Sequence, residues 1–201
     1  MSSLYSDPPF PRGSTLLSGE VIETDGAGPV AGRAVVGQVK VFQDVNPSTK
    51  ALLSDRLVYC VAARYKGSDN PDVTGVASGS TLVTGNIYLF DTGAPLEQFG
   101  NATGPLATAT NLTAGLTYGV LDEYLTGALR TNDIVWLVVK GPTAIRQSAA
   151  IIAVGAAVQA SATAGSMAVY SSGTPIGQNI SGAATTASAQ SVRVNLSSTY
   201  I

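Results

Sequence analysis

From Arg33 onward, apolar and polar positions fall into short runs with the two-residue period of extended chain. In Val35-Val-Gly-Gln-Val-Lys-Val-Phe42, Val35, Val39 and Val41 share one face while Gln38 and Lys40 share the other, the period of a half-buried strand. Asn46-Pro-Ser breaks this run. Arg56 to Tyr65 predicts a second strand, ended by Lys66-Gly-Ser-Asp-Asn-Pro71, and Ser80 to Phe90 a third, with Gly85-Asn86 as a turn or bulge inside it. Residues 96–114, mostly Gly, Asn, Thr and Ala, predict a long loop. Residues 117–129 fit equally a strand edge or the chain's one short helix.

The clearest element is Asp133-Ile-Val-Trp-Leu-Val-Val-Lys140. Six successive apolar residues predict a strand buried on both faces, turned off by Gly141-Pro142. Short pieces follow at close spacing: Ala149–Val154, Ala157–Ala160, Met167–Tyr170, Gly173–Ile180 and Val192–Leu196. Gly155, Gly165, Gly173 and Gly182 punctuate them. This spacing predicts an all-β fold, with a small barrel or sandwich over residues 131–201 and a further β-rich region over 33–130. Residues 1–32, with Pro8, Pro9 and Pro11 ahead of scattered apolar residues, predict an extended arm or a disordered tail.

Composition narrows the function classes. Charged residues make up 12% of the 201 residues, against roughly 25% in an average soluble domain. After Asp133 there is no acidic residue, and Lys140, Arg146 and Arg193 are the only basic ones. A surface that small and neutral suits burial against copies of itself or a partner. The net charge of −2, with basic residues scattered singly, provides no field for nucleic acid or an anionic membrane. The start lacks the basic and apolar regions of a secretory signal, and residues 145–170 are too interrupted for a membrane span. The Asn-x-Ser/Thr matches at Asn101, Asn111, Asn179 and Asn195 are therefore expected to be fortuitous.

Catalytic chemistry finds no frame. The chain has no histidine, which excludes a Ser-His-Asp or Cys-His triad, a histidine metal site and a histidine base. The single cysteine, Cys60, lies in an apolar run and is expected to be a buried core residue. None of Lys40, Lys50, Lys66 and Lys140 sits in a nucleophile motif, and no phosphate loop is present. Asp122 and Glu123 are adjacent and, in a strand, point to opposite faces. Asp69 and Asp72 flank a turn without the calcium-loop pattern. No cofactor and no metal is predicted, and an enzyme is not expected. Tyr59, Tyr65, Tyr88, Phe90, Tyr118, Tyr124, Trp136 and Tyr170 include candidates for a sugar-stacking platform, although core and interface roles are the commoner fate of such residues.

The last seventy or so residues resemble the small β-barrel, tulip-like decoration (cement) proteins of tailed bacteriophages. The likeness lies in the order of the apolar strand at Asp133, the turn Val154-Gly-Ala-Ala-Val158, the Gly-bounded Ala164-Gly-Ser-Met-Ala-Val-Tyr170, the piece Thr174-Pro-Ile-Gly-Gln178 and the final strand Ser191-Val-Arg-Val-Asn-Leu196. The resemblance implies a non-enzymatic virion protein, made in the host cytoplasm, that sits on the outer capsid surface. It would be a homotrimer bridging neighbouring major capsid protein subunits. The arm then becomes a candidate partner-binding segment through Leu4, Tyr5, Phe10, Leu16 and Leu17, which sit in a stretch too rich in proline to pack against itself. A tail-tube, head-completion or fibre-base protein is the alternative within virion parts, and a carbohydrate-binding β module the alternative outside them.

Overall fold

The computed structural model describes residues 39–64, 85–90, 103–106, 118–125, 134–148, 152–163, 165–181 and 191–197. The described residues form ten strands and no helix. They are β1 (Val39–Val45), β2 (Leu52–Arg64), β3 (Ile87–Phe90), β4 (Thr103–Leu106), β5 (Tyr118–Leu121), β6 (Ile134–Arg146), β7 (Ala157–Ala160), β8 (Met167–Val169), β9 (Pro175–Asn179) and β10 (Ser191–Leu196). All ladders are antiparallel, and the neighbours run β4-β3-β5-β6-β10-β9-β7-β8, with β2 also beside β6 and β1 beside β2.

Strand β6 organises this sheet. Its apolar run pairs with β2 along Ile134–Lys140, and Val138 and Leu137 also pair with β5 on the other side. The same strand then continues through Gly141 and Pro142 to pair with β10 up to Arg146. The sequence-based expectation that Gly141-Pro142 ends the strand is thus corrected. The dipeptide marks an exchange of neighbours from β2 to β10, where a residue without a side chain is required. Gly141 has φ of 96°, and a Cβ there would run into the backbone carbonyl oxygen of Leu57. Val138 faces inward by plain alternation with Trp136, and a bulge follows it opposite Tyr59 and Cys60, beyond which Lys140 is exposed.

The expectation of burial on both faces holds for β6. Trp136 and Val138 join one apolar cluster with Cys60, Ile145, Met167, Ile176 and Val194. Val135, Leu137 and Val139 join a second with Val61, Tyr88, Phe90 and Leu121. Cys60 and Trp136 are core residues, as their apolar surroundings predict. The first cluster draws on strands from both halves of the sheet order, so the two halves share one core.

Among the described residues the sheet does not close into a barrel. Strand β8 returns to the end of β6 through one bridge, Gln147 to Met167, and one hydrogen bond from Ser148 N–H to the Met167 carbonyl at 2.9 Å. No continuous ladder links the two strands. Further differences are local. A strand, β4, lies within the predicted 96–114 loop and pairs with β3. Tyr118–Leu121 is a strand between β3 and β6, followed by a turn at Asp122–Leu125. Of the predicted piece 149–154, residues 152–154 lead into a turn around Gly155.

Strand β1, described from Val39, shows the other face to the core, and the predicted residues 35–38 lie outside the described residues. Val39 and Val41 are each 45% exposed, while Lys40, Phe42 and Asp44 point inward. The alternation was the right period with the apolar side turned out. The inward residues are satisfied by specific partners rather than by apolar packing alone, and those partners come from far along the chain.

Candidate functional site

Two features of the described residues stand apart from ordinary core. One is a group of charged side chains between β1, the β5 turn and β10. The other is a set of exposed apolar side chains on the β1–β2 hairpin.

The charged group centres on Arg193 in β10. Its guanidinium reaches Asp44 Oδ1 at 2.6 Å and Glu123 Oε1 at 3.3 Å. The second Asp44 oxygen accepts a hydrogen bond from Ser54 Oγ at 2.7 Å across the hairpin. Local chain geometry explains each placement. Alternation along β10 sends Val192, Val194 and Leu196 into the core and leaves Arg193 facing the other way. Glu123 sits in the turn closed by Leu125 N–H on the Asp122 carbonyl, while Asp122 Oδ1 accepts from Tyr124 N–H at 3.3 Å. Asp122 and Glu123 therefore belong to a turn rather than to a strand with opposed faces. Asp122 is buried in its own turn and Glu123 turns to Arg193.

Burial alone would lower the pKa of the Arg193 guanidinium. The charge of Glu123, the hydrogen bond and charge of Asp44 and a hydrogen bond with Tyr124 outweigh it and hold the pKa above the ordinary arginine value. This side chain is a fixed cation that joins three elements and has no proton to exchange in the physiological range. On the same side of β1 as Asp44, the Lys40 ammonium lies 5.7 Å from the Trp136 ring centroid, and Phe42 meets the same ring edge-on at 5.6 Å. The arrangement is that of a structural clamp. Among the described residues, no group of three His, Cys, Asp or Glu side chains is placed to hold a metal ion.

The aromatic candidates divide. Tyr88, Phe90, Tyr118 and Trp136 are buried, and Tyr118 donates to the Ser197 carbonyl at 2.8 Å, with the Ile176 carbonyl at 3.3 Å. Burial pushes the Tyr118 phenol well above its ordinary pKa. Tyr59 lies partly exposed under the Lys140 ammonium, 5.2 Å from its ring centroid, and Tyr170 is 40% exposed at the end of β8. Four of the eight candidates are thus core residues, and Tyr65 lies outside the described residues. Asn179 is buried, with Nδ2 donating to the Ile152 and Ala153 carbonyls and Oδ1 accepting from Ser181, so its side chain is fully engaged in a turn.

Of eight large apolar side chains exposed among the described residues, five lie on the hairpin: Val39, Val41, Leu52, Leu53 and Leu57. The register sets Val41 beside Tyr59 and Gln43 beside Leu57 on one face. The arm residues Leu4, Tyr5, Phe10, Leu16 and Leu17, and also Asp69 and Asp72, lie outside the described residues. The Asp44–Arg193 pairing spans 149 positions of sequence, and no local pattern announces it. The one available signal for the hairpin was the position of Phe42 and Asp44 on the same side of the strand as Lys40. No protein-family model, no curated protein and no solved structure matches the chain.

Proposed function

We propose that this chain is a structural virion protein, a capsid decoration or cement protein that binds the outside of an expanded icosahedral shell. It bridges neighbouring major capsid protein subunits as a homotrimer, with no catalytic step. The observation that carries the reading is the concentration of exposed apolar side chains on one hairpin of an all-β chain in which charged residues are only 12%. Scattered single apolar residues are ordinary on a surface, whereas a run of them on adjoining strands supports a protein contact. The resemblance of the last seventy residues supports the choice of a shell over other assemblies.

The mechanics follow from simple terms. DNA packed in a head pushes outward, and each joint that buries apolar area resists by about 25 cal/mol per Å². Many such joints act together because binding at one site raises the effective concentration at the next. In this reading the arm over residues 1–32 contributes Leu4, Tyr5, Phe10, Leu16 and Leu17 as a contact with the shell. The test is co-sedimentation of the purified full chain with expanded and unexpanded heads that lack it. Saturable binding to expanded heads alone is the expected result, weakened by removal of residues 1–17 while the melting temperature stays the same. Equal binding to both forms, or none to either, would contradict the reading.

A further inference from the structure

The exposed face of the β1–β2 hairpin has a symmetry of its own. Leu57 is 46% exposed, with Asp55 and then Leu53 on one side along β2 and Tyr59 on the other. Two residues before Leu57 stands the exposed carboxylate Asp55, whose neighbour Ser54 is engaged inward by Asp44. Two residues after Leu57 stands Tyr59, with the exposed Lys140 ammonium over its ring. Val41, opposite Tyr59 in the register, and Val39 widen the apolar stripe onto β1. A half-turn about an axis through Leu57 carries position 55 onto position 59. Along β2, Leu57 thus stands between an anion and a cation, each two residues away, with Gln43 beside it on β1 and Leu53 beyond the anion.

We infer that this face is an isologous contact with a second copy of the chain. The two hairpins stack face to face, Leu57 against Leu57, and Asp55 of each copy meets the Lys140 ammonium of the other. A two-fold contact requires a surface complementary to itself, which is what the acid–apolar–base order supplies. Strands of two sheets pack in this way about 10 Å apart, with their directions within about 30°. The stripe is a handful of side chains on two strands, which sets the contact in the class below about 1,200 Å² that is weak between free molecules. Such a contact becomes effective where copies are held side by side on a repeating surface. The inference deepens the assembly reading and rests on it for that setting. It is compatible with three-fold clusters, because neighbouring local three-fold positions on an icosahedral shell are related by local two-fold axes.

Two variants of the full chain test it. In Leu57→Cys the new thiols face each other across the axis, and a short bismaleimide cross-linker gives a covalent pair of twice 20.4 kDa on a denaturing gel. Val154→Cys, on an exposed turn elsewhere, gives none. In sedimentation over a concentration series, Leu57→Lys weakens self-association at least about tenfold, the loss expected of a central contact residue. Val169→Lys leaves it as in the wild type. Covalent pairs no more abundant in Leu57→Cys than in Val154→Cys, together with unchanged association of Leu57→Lys, would overturn the inference. If Leu57→Lys loses binding to expanded heads while its self-association is unchanged, the face belongs to the shell protein; the inference then fails and the proposed function stands. If covalent pairs form but no head binding is seen, the proposed function fails and the contact between copies stands.

Discussion

Asp44 shows how much of the fold depends on partners distant in sequence. Its side chain is 1% exposed, on the inner side of a two-residue alternation that it shares with Lys40 and Phe42. Removing the Arg193 cation by Arg193→Met leaves that carboxylate buried with less compensation and should cost about 3 kcal/mol. The double variant Asp44→Leu/Arg193→Met should recover most of the loss, because two apolar groups need no desolvated charge. Urea unfolding of the two variants beside the wild type checks both statements. Thr143 gives the opposite case. Its hydroxyl is buried on β6 and makes no hydrogen bond among the described residues. Thr143→Val keeps the shape and should stabilise the protein by about 1 kcal/mol, read as a higher urea midpoint at unchanged slope.

Among the elements, β6 gave the sequence its strongest pattern and also its most instructive error. The six apolar residues after Asp133 announced a strand buried on both faces, and two apolar clusters bury it. Gly141-Pro142 looked like its end because both residues normally terminate pairing. Here the positive φ of Gly141 and its missing Cβ allow the Leu57–Val58 backbone to pass close by while the strand continues to β10. Gly141→Ala should therefore cost about 3 kcal/mol or more, from backbone strain and displacement of β2, far beyond an exposed glycine substitution such as Gly155→Ala. Urea midpoints of the two variants compare them directly. The short strands β7, β9 and β10 were legible to within two residues or so, because glycine turns bound them. Strand β4 was not, since its residues carry no alternating apolar signal and its pairing with β3 alone makes it a strand. For β1 the period was legible but the facing was not: what turns Lys40 and Asp44 inward is Trp136 and Arg193, residues that no window around β1 contains.

At the scale of the whole molecule, Tyr118 joins the two halves of the sheet order, donating from β5 to the carbonyl just after β10. Its raised pKa has a definite consequence. The unfolded chain releases the phenolic proton near the ordinary value of about 10, whereas the fold holds it, so stability is unaffected below that pH and falls as the pH rises beyond it. The melting temperature of the wild type should fall more steeply between about pH 9 and about pH 11 than that of Tyr118→Phe. That variant starts lower at neutral pH by about 1 kcal/mol for the lost hydrogen bond. The shared core and this hydrogen bond make the described residues a single support for the hairpin face, the surface on which the account of function turns. The most direct measurement of that account is the co-sedimentation of the purified chain with expanded and unexpanded heads. Saturable binding to the expanded form, abolished when the heads already carry the protein, is the predicted result. A chain that stays in the supernatant at every concentration with both forms would contradict it.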